Sequence, residues 1–211
     1  MYNLRTRHNT IKAHLIKTFV KRGSTVLDVG CGRGGDIHKF NKVGALVTAL
    51  EPNCELLCEA AKRLKKAAYP NIRLMHGDIR NAPSHQWDVV CYMFSIHWTL
   101  ADNPTRQLAE AMARVKPGGH LIGTVPNGDA ILRTKKWSSP EGNFVVNGNK
   151  VKFNVVGPFY SGEVQEEPIL TSSALQELVG NCGGTLVSWE PLGRDNLSQF
   201  YCKFIITKGF F

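Results

Sequence analysis

The stretch Val26-Leu27-Asp28-Val29-Gly30-Cys31-Gly32-Arg33-Gly34-Gly35-Asp36 restricts the folds open to this chain more than any other. Ser24 to Leu27 is a β-branched and apolar run that reads as a buried strand. Glycines then interrupt it, and a helical pattern resumes at Asp36-Ile37-His38-Lys39-Phe40. Glycines at such a strand-to-helix turn allow positive φ and let a ligand approach the backbone. The loop therefore belongs to a small-molecule site at the carboxyl end of a strand.

The surrounding pattern sets the fold class. An amphipathic helix is expected at 7–21, with Ile11, Leu15 and Ile16 on one face, followed by strands at 25–29, 45–50, 71–75 and 87–93. Helices are expected between them at 35–42, closed by Gly44, and at 53–67, with a third at 105–115. Lys116-Pro117-Gly118-Gly119 reads as a sharp turn into a strand at 120–125. Strands that alternate with helices and are apolar on both faces predict an α/β fold, a parallel sheet covered on both sides. Ligands of such sheets sit at the strands' carboxyl ends, where Gly30, Glu51, Asp78 and Phe94 converge. After about residue 140 the pattern changes. Phe144 to Phe153 alternates around Asn147-Gly148, a hairpin signature. A loop is expected at 157–168, holding Glu163, Glu166 and Glu167, then a helix at 172–181 and strands at 184–190 and 199–207.

The 211 residues suit a single domain, divided here into a basic arm at 1–22, a cofactor-binding core at 23–135, a hairpin and loop insertion at 136–170 and closing elements at 171–211. The net charge of +9 favours a polyanionic partner. Residues 1–42 hold nine Lys and Arg against Asp28 and Asp36, so +7 of that excess lies near the glycine loop. The six cysteines form no Cys-x-x-Cys pair, which predicts reduced and mostly buried thiols and no metal site. No apolar run reaches the ~18–20 residues of a membrane span, and the basic N-terminal segment is not followed by an apolar h-region. These features predict an intracellular protein that is neither secreted nor membrane-bound.

Gly30, Gly32 and Gly35 match Gly-x-Gly-x-x-Gly, a pattern shared by dinucleotide and S-adenosylmethionine sites. Glu51, about 20 residues on, suits ribose hydroxyls in either class. Asp28 lies inside a strand, where a charge is costly unless it is used. Asp78 follows Gly77, where a carboxylate can accept from an adenine amino group. Two carboxylates flanking the ligand favour S-adenosylmethionine, whose sulfonium is stabilised by negative surroundings.

The stretch Leu27 to Asp36 resembles the cofactor motif of the mRNA cap guanine-N7 methyltransferases, a family of Rossmann-like class I enzymes. Three further segments resemble it in the same order. They are Arg7-His8-Asn9-Thr10-Ile11-Lys12, Phe94-Ser95-Ile96-His97-Trp98, and the run from Pro117 to Asn127. The resemblance implies a mostly parallel seven-stranded sheet with an inserted β-hairpin. It also suggests a compact domain such as the methyltransferase part of a large viral multifunctional capping enzyme, cytoplasmic in that case and otherwise nuclear.

The resemblance further implies a role for each matching position. Lys12 holds the cofactor's carboxylate, Gly30 and Gly32 its methionyl portion beside Asp28, Glu51 the ribose and Asp78 the adenine, with Met93, Phe94 and Trp98 packing nearby. His8, Asn9, Arg33, Lys39 and Arg63 serve the cap, the last three at its phosphates. His97 and Glu167 grip the guanine beside Tyr201 and Phe94, although the frame that selects Glu167 can slip to Glu166. His8 and Trp98 depart from the family's Asn and Tyr, and Met93 from a frequent Gln. The implied partner is 5′ GpppN-capped RNA, with other capping domains or a stimulatory subunit. The implied reaction transfers a methyl group from S-adenosylmethionine to guanine N7, releasing S-adenosylhomocysteine. N7 carries a lone pair and no proton, so no acid or base is expected. His97, Glu167 and Trp98 then act by positioning. A methyltransferase for a small metabolite and a non-catalytic cap- or RNA-binding module remain alternatives.

Overall fold

The computed structural model describes residues 4–155, 164–194 and 196–210. The chain opens with helix α1 (Leu4–Phe19), which buries Leu15 and Ile16. Strand β1 (Thr25–Val29) follows, then α2 (Ile37–Val43), whose end is capped by Gly44 in the left-handed conformation. Next come β2 (Leu46–Glu51), α3 (Cys54–Ala67), β3 (Ile72–His76) and β4 (Trp87–Met93). Asn53 caps α3 by accepting from the N–H groups of Glu55 and Leu56. A short helix, α4 (Ile96–Thr99), precedes α5 (Pro104–Ala113), β5 (Val115–Pro126) and α6 (Gly128–Thr134).

Four short strands form the next segment: β6 (Lys136–Ser139), β7 (Gly142–Asn147), β8 (Lys150–Val155) and β9 (Gln165–Pro168). The chain closes with α7 (Ser172–Gly180), β10 (Gly184–Pro191) and β11 (Tyr201–Lys208).

Seven strands form one sheet in the order β10-β11-β5-β4-β1-β2-β3. The neighbouring pairs from β5 to β3 run parallel, and β11 inserts antiparallel between β5 and β10. Side chains alternate across β1. Leu27 and Val29 join one apolar layer with Leu50, Val90 and Leu121. Val26 joins the other, which packs under α1 and α2 through Leu15, Ile16, Ile37 and Phe40. Asp28 shares the parity of Val26 and so enters the layer beneath α1 and α2.

Four expectations change. The hairpin around Asn147-Gly148 is present, but as the centre of a four-stranded antiparallel sheet, β6-β7-β8-β9. The outer strands are too short to announce themselves by alternation. Glu166 and Glu167 therefore stand on β9, paired to Lys152 and Val151, rather than in a loop. The rest of that expected loop, 157–163 with Glu163, lies outside the described residues. Lys116 to Gly119 does not end an element. It is an irregularity inside β5, across which the pairing shifts from Trp87–Val115 to Val89–His120. The cysteines are also less buried than expected. Cys91 and Cys202 are buried, whereas Cys54 and Cys58 are exposed on α3, because only Ala60 of that helix faces the core fully. Among the described residues no helix is long and apolar enough to cross a membrane.

Candidate functional site

The carboxyl ends of β1 and β4 open into a cavity of about 1080 Å³, walled also by α1, α3 and the small sheet. That is large enough for a nucleoside cofactor and a second ligand side by side. The glycine loop forms its floor. Gly30, Gly32 and Gly34 all have positive φ, at 74°, 55° and 72°. A Cβ on Gly30 would stand 2.6 Å from Cβ of Ser95, so only glycine fits where the loop after β4 crosses β1. Ser95 Oγ donates to the carbonyl of Val29 at that crossing.

Glu51 fixes the loop from the neighbouring strand. Its Oε2 accepts from the Gly32 N–H at 2.7 Å and its Oε1 from the Asn53 N–H at 2.9 Å. Asp28 is 2% exposed, and its Oδ1 has no hydrogen-bond partner among the described residues. Burial, reinforced by Asp36 and Glu51, pushes its carboxyl up to about 8.

A buried charge cluster joins α1 to the loop. Asp36 accepts from Lys12 Nζ at 2.7 Å on one oxygen and from Lys39 Nζ on the other. Lys39 Nζ also reaches Asn9 Oδ1 at 3.0 Å and the Gly35 carbonyl at 3.2 Å. Burial pushes the Asp36 carboxyl up, but the two ammoniums outweigh that and hold it below its usual range. Burial in turn lowers the Lys39 ammonium.

The far wall is aromatic. Phe94 adopts φ 66°, a left-handed conformation that a bulky residue rarely takes, at the end of β4. Its ring lies 5.8 Å from that of His8 and 5.6 Å from that of Tyr201, and Tyr201 stacks on Phe153 of β8. Burial, then Lys12 and Arg7, press the His8 ring down to about 4, so it is neutral near pH 7.

His97 and Glu167, 70 residues apart, meet at 2.8 Å between Nε2 and Oε2. A carboxylate only accepts, so Nε2 carries the proton in the neutral ring. The other nitrogen, Nδ1, is buried without a partner among the described residues. Glu167 lines the cavity, and α4 holds His97 behind it at 2% exposure. Glu166 alternates to the opposite face of β9, where it stands 3.6 Å from Lys150 and 3.9 Å from Lys152.

The expected site residues thus separate into groups. Lys12, His8, Asn9, Gly30, Gly32, Arg33, Arg63, Met93, Phe94, Glu167 and Tyr201 line one cavity. Asp28, Glu51 and His97 brace it from behind. Asp78 lies past β3, where its carboxylate caps a short 3-10 helix (Ile79–Asn81) and grips the Arg80 guanidinium, with contacts at 2.6 and 3.1 Å. Trp98 is half exposed and packs on His97 at 5.4 Å outside the cavity walls.

Lys39 corrects its expected place at the cap's phosphates. It is 6% exposed and fully engaged with Asp36, Asn9 and Gly35. The basic face expected of residues 1–42 shrinks accordingly. Lys12 and Lys39 neutralise Asp36, and Arg33 stands 3.5 Å from Glu59. Sequence reading gave no role to Asp36, although a carboxylate that closes a glycine loop and opens a helix was a signal. Arg5, Tyr69, Val155 and Gln165 also line the cavity, and nothing in their local sequence marked them.

Two family models match the chain. One is described as a methyltransferase domain and covers residues 26–119; the other is described as an mRNA (guanine-N(7))-methyltransferase domain and covers residues 1–49. The mRNA cap guanine-N(7) methyltransferase 1 of Arabidopsis thaliana is 31% identical over 182 residues, covering 75% of this chain and 47% of that protein. The mRNA cap guanine-N(7) methyltransferase of Caenorhabditis elegans is 24% identical over 233 residues, covering 100% of this chain and 60% of that protein. The chain spans about half the length of the curated relatives it matches. These relatives are eukaryotic, and the expected viral origin finds no support in them.

The solved structure of the glycopeptide N-methyltransferase MtfA, complexed with (S)-adenosyl-L-methionine, superposes with a TM-score of 0.71 at 18% identity, covering 95% of this chain and 94% of that one. An S-adenosylmethionine-dependent methyltransferase from Clostridium acetobutylicum gives 0.71 at 14% identity, covering 96% and 91%. At such identities these two establish the fold alone, that of the class I methyltransferases. With the arm and glycine loop matched by one family model and relatives of one name on both sides of 30% identity, the chain belongs to the mRNA cap guanine-N7 methyltransferase family.

Proposed function

We propose that this chain methylates N7 of the guanine cap on 5′ GpppN RNA, using S-adenosylmethionine. One observation carries the reading: Glu167, braced by His97, lines the same cavity as the glycine loop, so an acceptor for a guanine edge faces a cofactor floor. The residues present fit the cofactor. The glycines at positive φ leave the backbone open, and the orphaned Asp28 Oδ1 is an acceptor waiting for a donor such as an ammonium. Gly30, Gly32 and Asp28 would hold its methionyl part, Lys12 its carboxylate and Glu51 its ribose. When bound, S-adenosylmethionine supplies an activated methyl group on a sulfonium.

The protein's own part is to orient and to exclude water. Glu167 keeps Oε1 free of His97 and can accept from guanine N1–H and the exocyclic amine. His97 fixes the rotamer of Glu167 from behind. Phe94, Tyr201 and the neutral His8 give the base an apolar wall. Arg33 and Arg63 face the bridging phosphates from the opposite rim. N7 needs no deprotonation, so alignment alone can supply up to about 7–11 kcal/mol of rate enhancement. A carboxylate opposite the edge that gains positive charge adds electrostatic help. The site of action is intracellular in this reading.

The test incubates the protein with methyl-labelled S-adenosylmethionine and GpppG-capped RNA, then digests the RNA and identifies the labelled nucleoside. Label in 7-methylguanosine is expected; label elsewhere, or none, overturns the proposal. Glu167→Ala should abolish transfer while S-adenosylhomocysteine still binds by calorimetry. Loss of both would make Glu167 a structural residue.

A further inference from the structure

Helix α3 carries a charge pattern that the cap site does not use. Its first half is acidic, with Glu55 and Glu59, and Glu59 faces Arg33. Its second half holds Lys62, Arg63, Lys65 and Lys66, all exposed. Among the described residues none of these four has an acidic partner. Glu59, Lys62, Arg63 and Lys66 follow the spacing i, i+3, i+4, i+7, which places them along one face. Lys65, three residues after Lys62, borders it on the side away from the cavity.

That face is continuous with the cavity. Leu56, Arg63 and Ala67 of α3 line it, and so does Tyr69 just past the helix. A half-buried tyrosine at the mouth of a basic slot offers a stacking surface for a base. Several other basic residues are ill placed for such a role. Lys12 and Lys39 already pair with Asp36 at the cofactor end of the cavity, and Lys150 and Lys152 face Glu166. Lys17 stands five residues past Lys12, the last residue of α1 that lines the cavity, so about 7.5 Å further along the helix and on a different face.

We propose that the second half of α3, with Tyr69, is the track for the single-stranded RNA that follows the cap, Lys62, Lys65 and Lys66 meeting its phosphates and Tyr69 stacking a base. The assignment rests on the cap reading for its direction, since the strand leaves the cavity past Arg63. Its basis is charge complementarity and continuity with the cavity wall. Lysine contacts of this kind carry affinity without sequence preference.

The experiment compares two substrates, the dinucleotide GpppG and a GpppG-capped 20-nucleotide RNA, in the wild type and in the triple variant Lys62→Gln, Lys65→Gln, Lys66→Gln. Methylation of GpppG should be unchanged in the variant, which also shows that it folds. KM for the capped RNA should rise roughly tenfold or more at ~0.1 M salt, and the slope of log affinity against log salt should shrink by about 2, near 0.7 per lost phosphate contact. A charge-matched control, Lys17→Gln, Lys21→Gln, Lys42→Gln, should leave both substrates unaffected.

An equal rise in the control would mean that net charge, not a track, does the work. An unchanged KM in the α3 variant would overturn the proposal outright. If the wild type methylates neither substrate, the cap reading fails. Binding of an uncapped 20-nucleotide RNA by anisotropy then tests the track alone, with the same slope change expected and its absence refuting it.

Discussion

Replacing Asp36 by Asn removes the one negative charge between two buried ammoniums while keeping the shape of the side chain. The side chains of Lys12, Lys39 and Asp36 are 12%, 5% and 10% exposed, so water screens them little. The replacement amide could still accept one hydrogen bond, but neither ammonium would have a counter-charge, because the neighbouring Asp28 carboxyl, pushed up to about 8, is protonated near neutral pH. Breaking a buried pair from one side costs about 3–5 kcal/mol. For a chain of this size that lowers Tm by roughly 6–20 °C.

The loss should be local in origin. Lys12 and Asn9 tie α1 to the loop through this cluster, so amide exchange within Leu4–Phe19 should accelerate before exchange in β1. Adding Lys39→Met to Asp36→Asn removes one of the two stranded ammoniums and should recover part of the loss, with a coupling energy of about 0.5–3 kcal/mol between the two changes. Urea unfolding of the wild type, the two single variants and the double variant measures it. A Tm for Asp36→Asn within about 2 °C of the wild type, or losses that simply add, would refute the account of the cluster.

Gly30→Ala should cost about 1–3 kcal/mol, from its φ of 74° and the 2.6 Å approach of Ser95 Cβ, and Ser95→Gly should return only the steric share. Thermal melts of the three variants check it, and a neutral Gly30→Ala would contradict the tight crossing. Stability should also vary with pH in a defined window. Between pH 4 and 6.5 the raised Asp28 carboxyl and the lowered His8 ring oppose each other, the folded state holding an extra proton at one and giving one up at the other. Above 6.5, where the His8 contribution fades, Asp28 sets the trend: its raised pKa gives stability that is complete below its unfolded value of 3.8 and lost as pH rises through about 8. The urea midpoint should therefore fall from pH 6.5 to 8, by at most ~1.4 kcal/mol per pH unit, and stay level in Asp28→Asn.

The sequence carried the large sheet almost entirely, because β1, β2 and β4 are continuous apolar runs whose period leaves few alternatives. Gly44 marked a helix end by chemistry that the structure repeats as a cap. The small sheet was half visible. Asn147-Gly148 announces its central hairpin, while β6 and β9 are four residues each and are held by partners distant in sequence. Charge was the least legible quantity. A count of nine basic residues near the loop says nothing of which ones are buried, and two of them, Lys12 and Lys39, proved to serve Asp36. Position along the chain distinguished Glu167 from Glu166 only by a following Pro-Ile-Leu. The register of β9 separates them by one pleat, which turns one carboxylate to His97 and the other to the lysines of β8.

The same helix sets both ends of the cavity. Through Lys12 and Asn9, α1 fastens to the glycine loop; through His8, one residue before Asn9, it enters the aromatic wall. Tyr201 carries that wall onward to Phe153, which belongs to the strand that pairs with β9 and so positions Glu167. A displacement of α1 is thus felt at the cofactor floor and at the guanine acceptor together. His8 is the vulnerable point of this linkage, because it is buried among cations and has Ser198 Oγ, at 3.4 Å, as its polar contact. A protonated ring there would repel Lys12 and Arg7, loosening the helix at the residue that joins its two attachments. Neutrality of one histidine is therefore a condition for the two halves of the site to keep their spacing, and it follows from burial rather than from any feature of the sequence around His8.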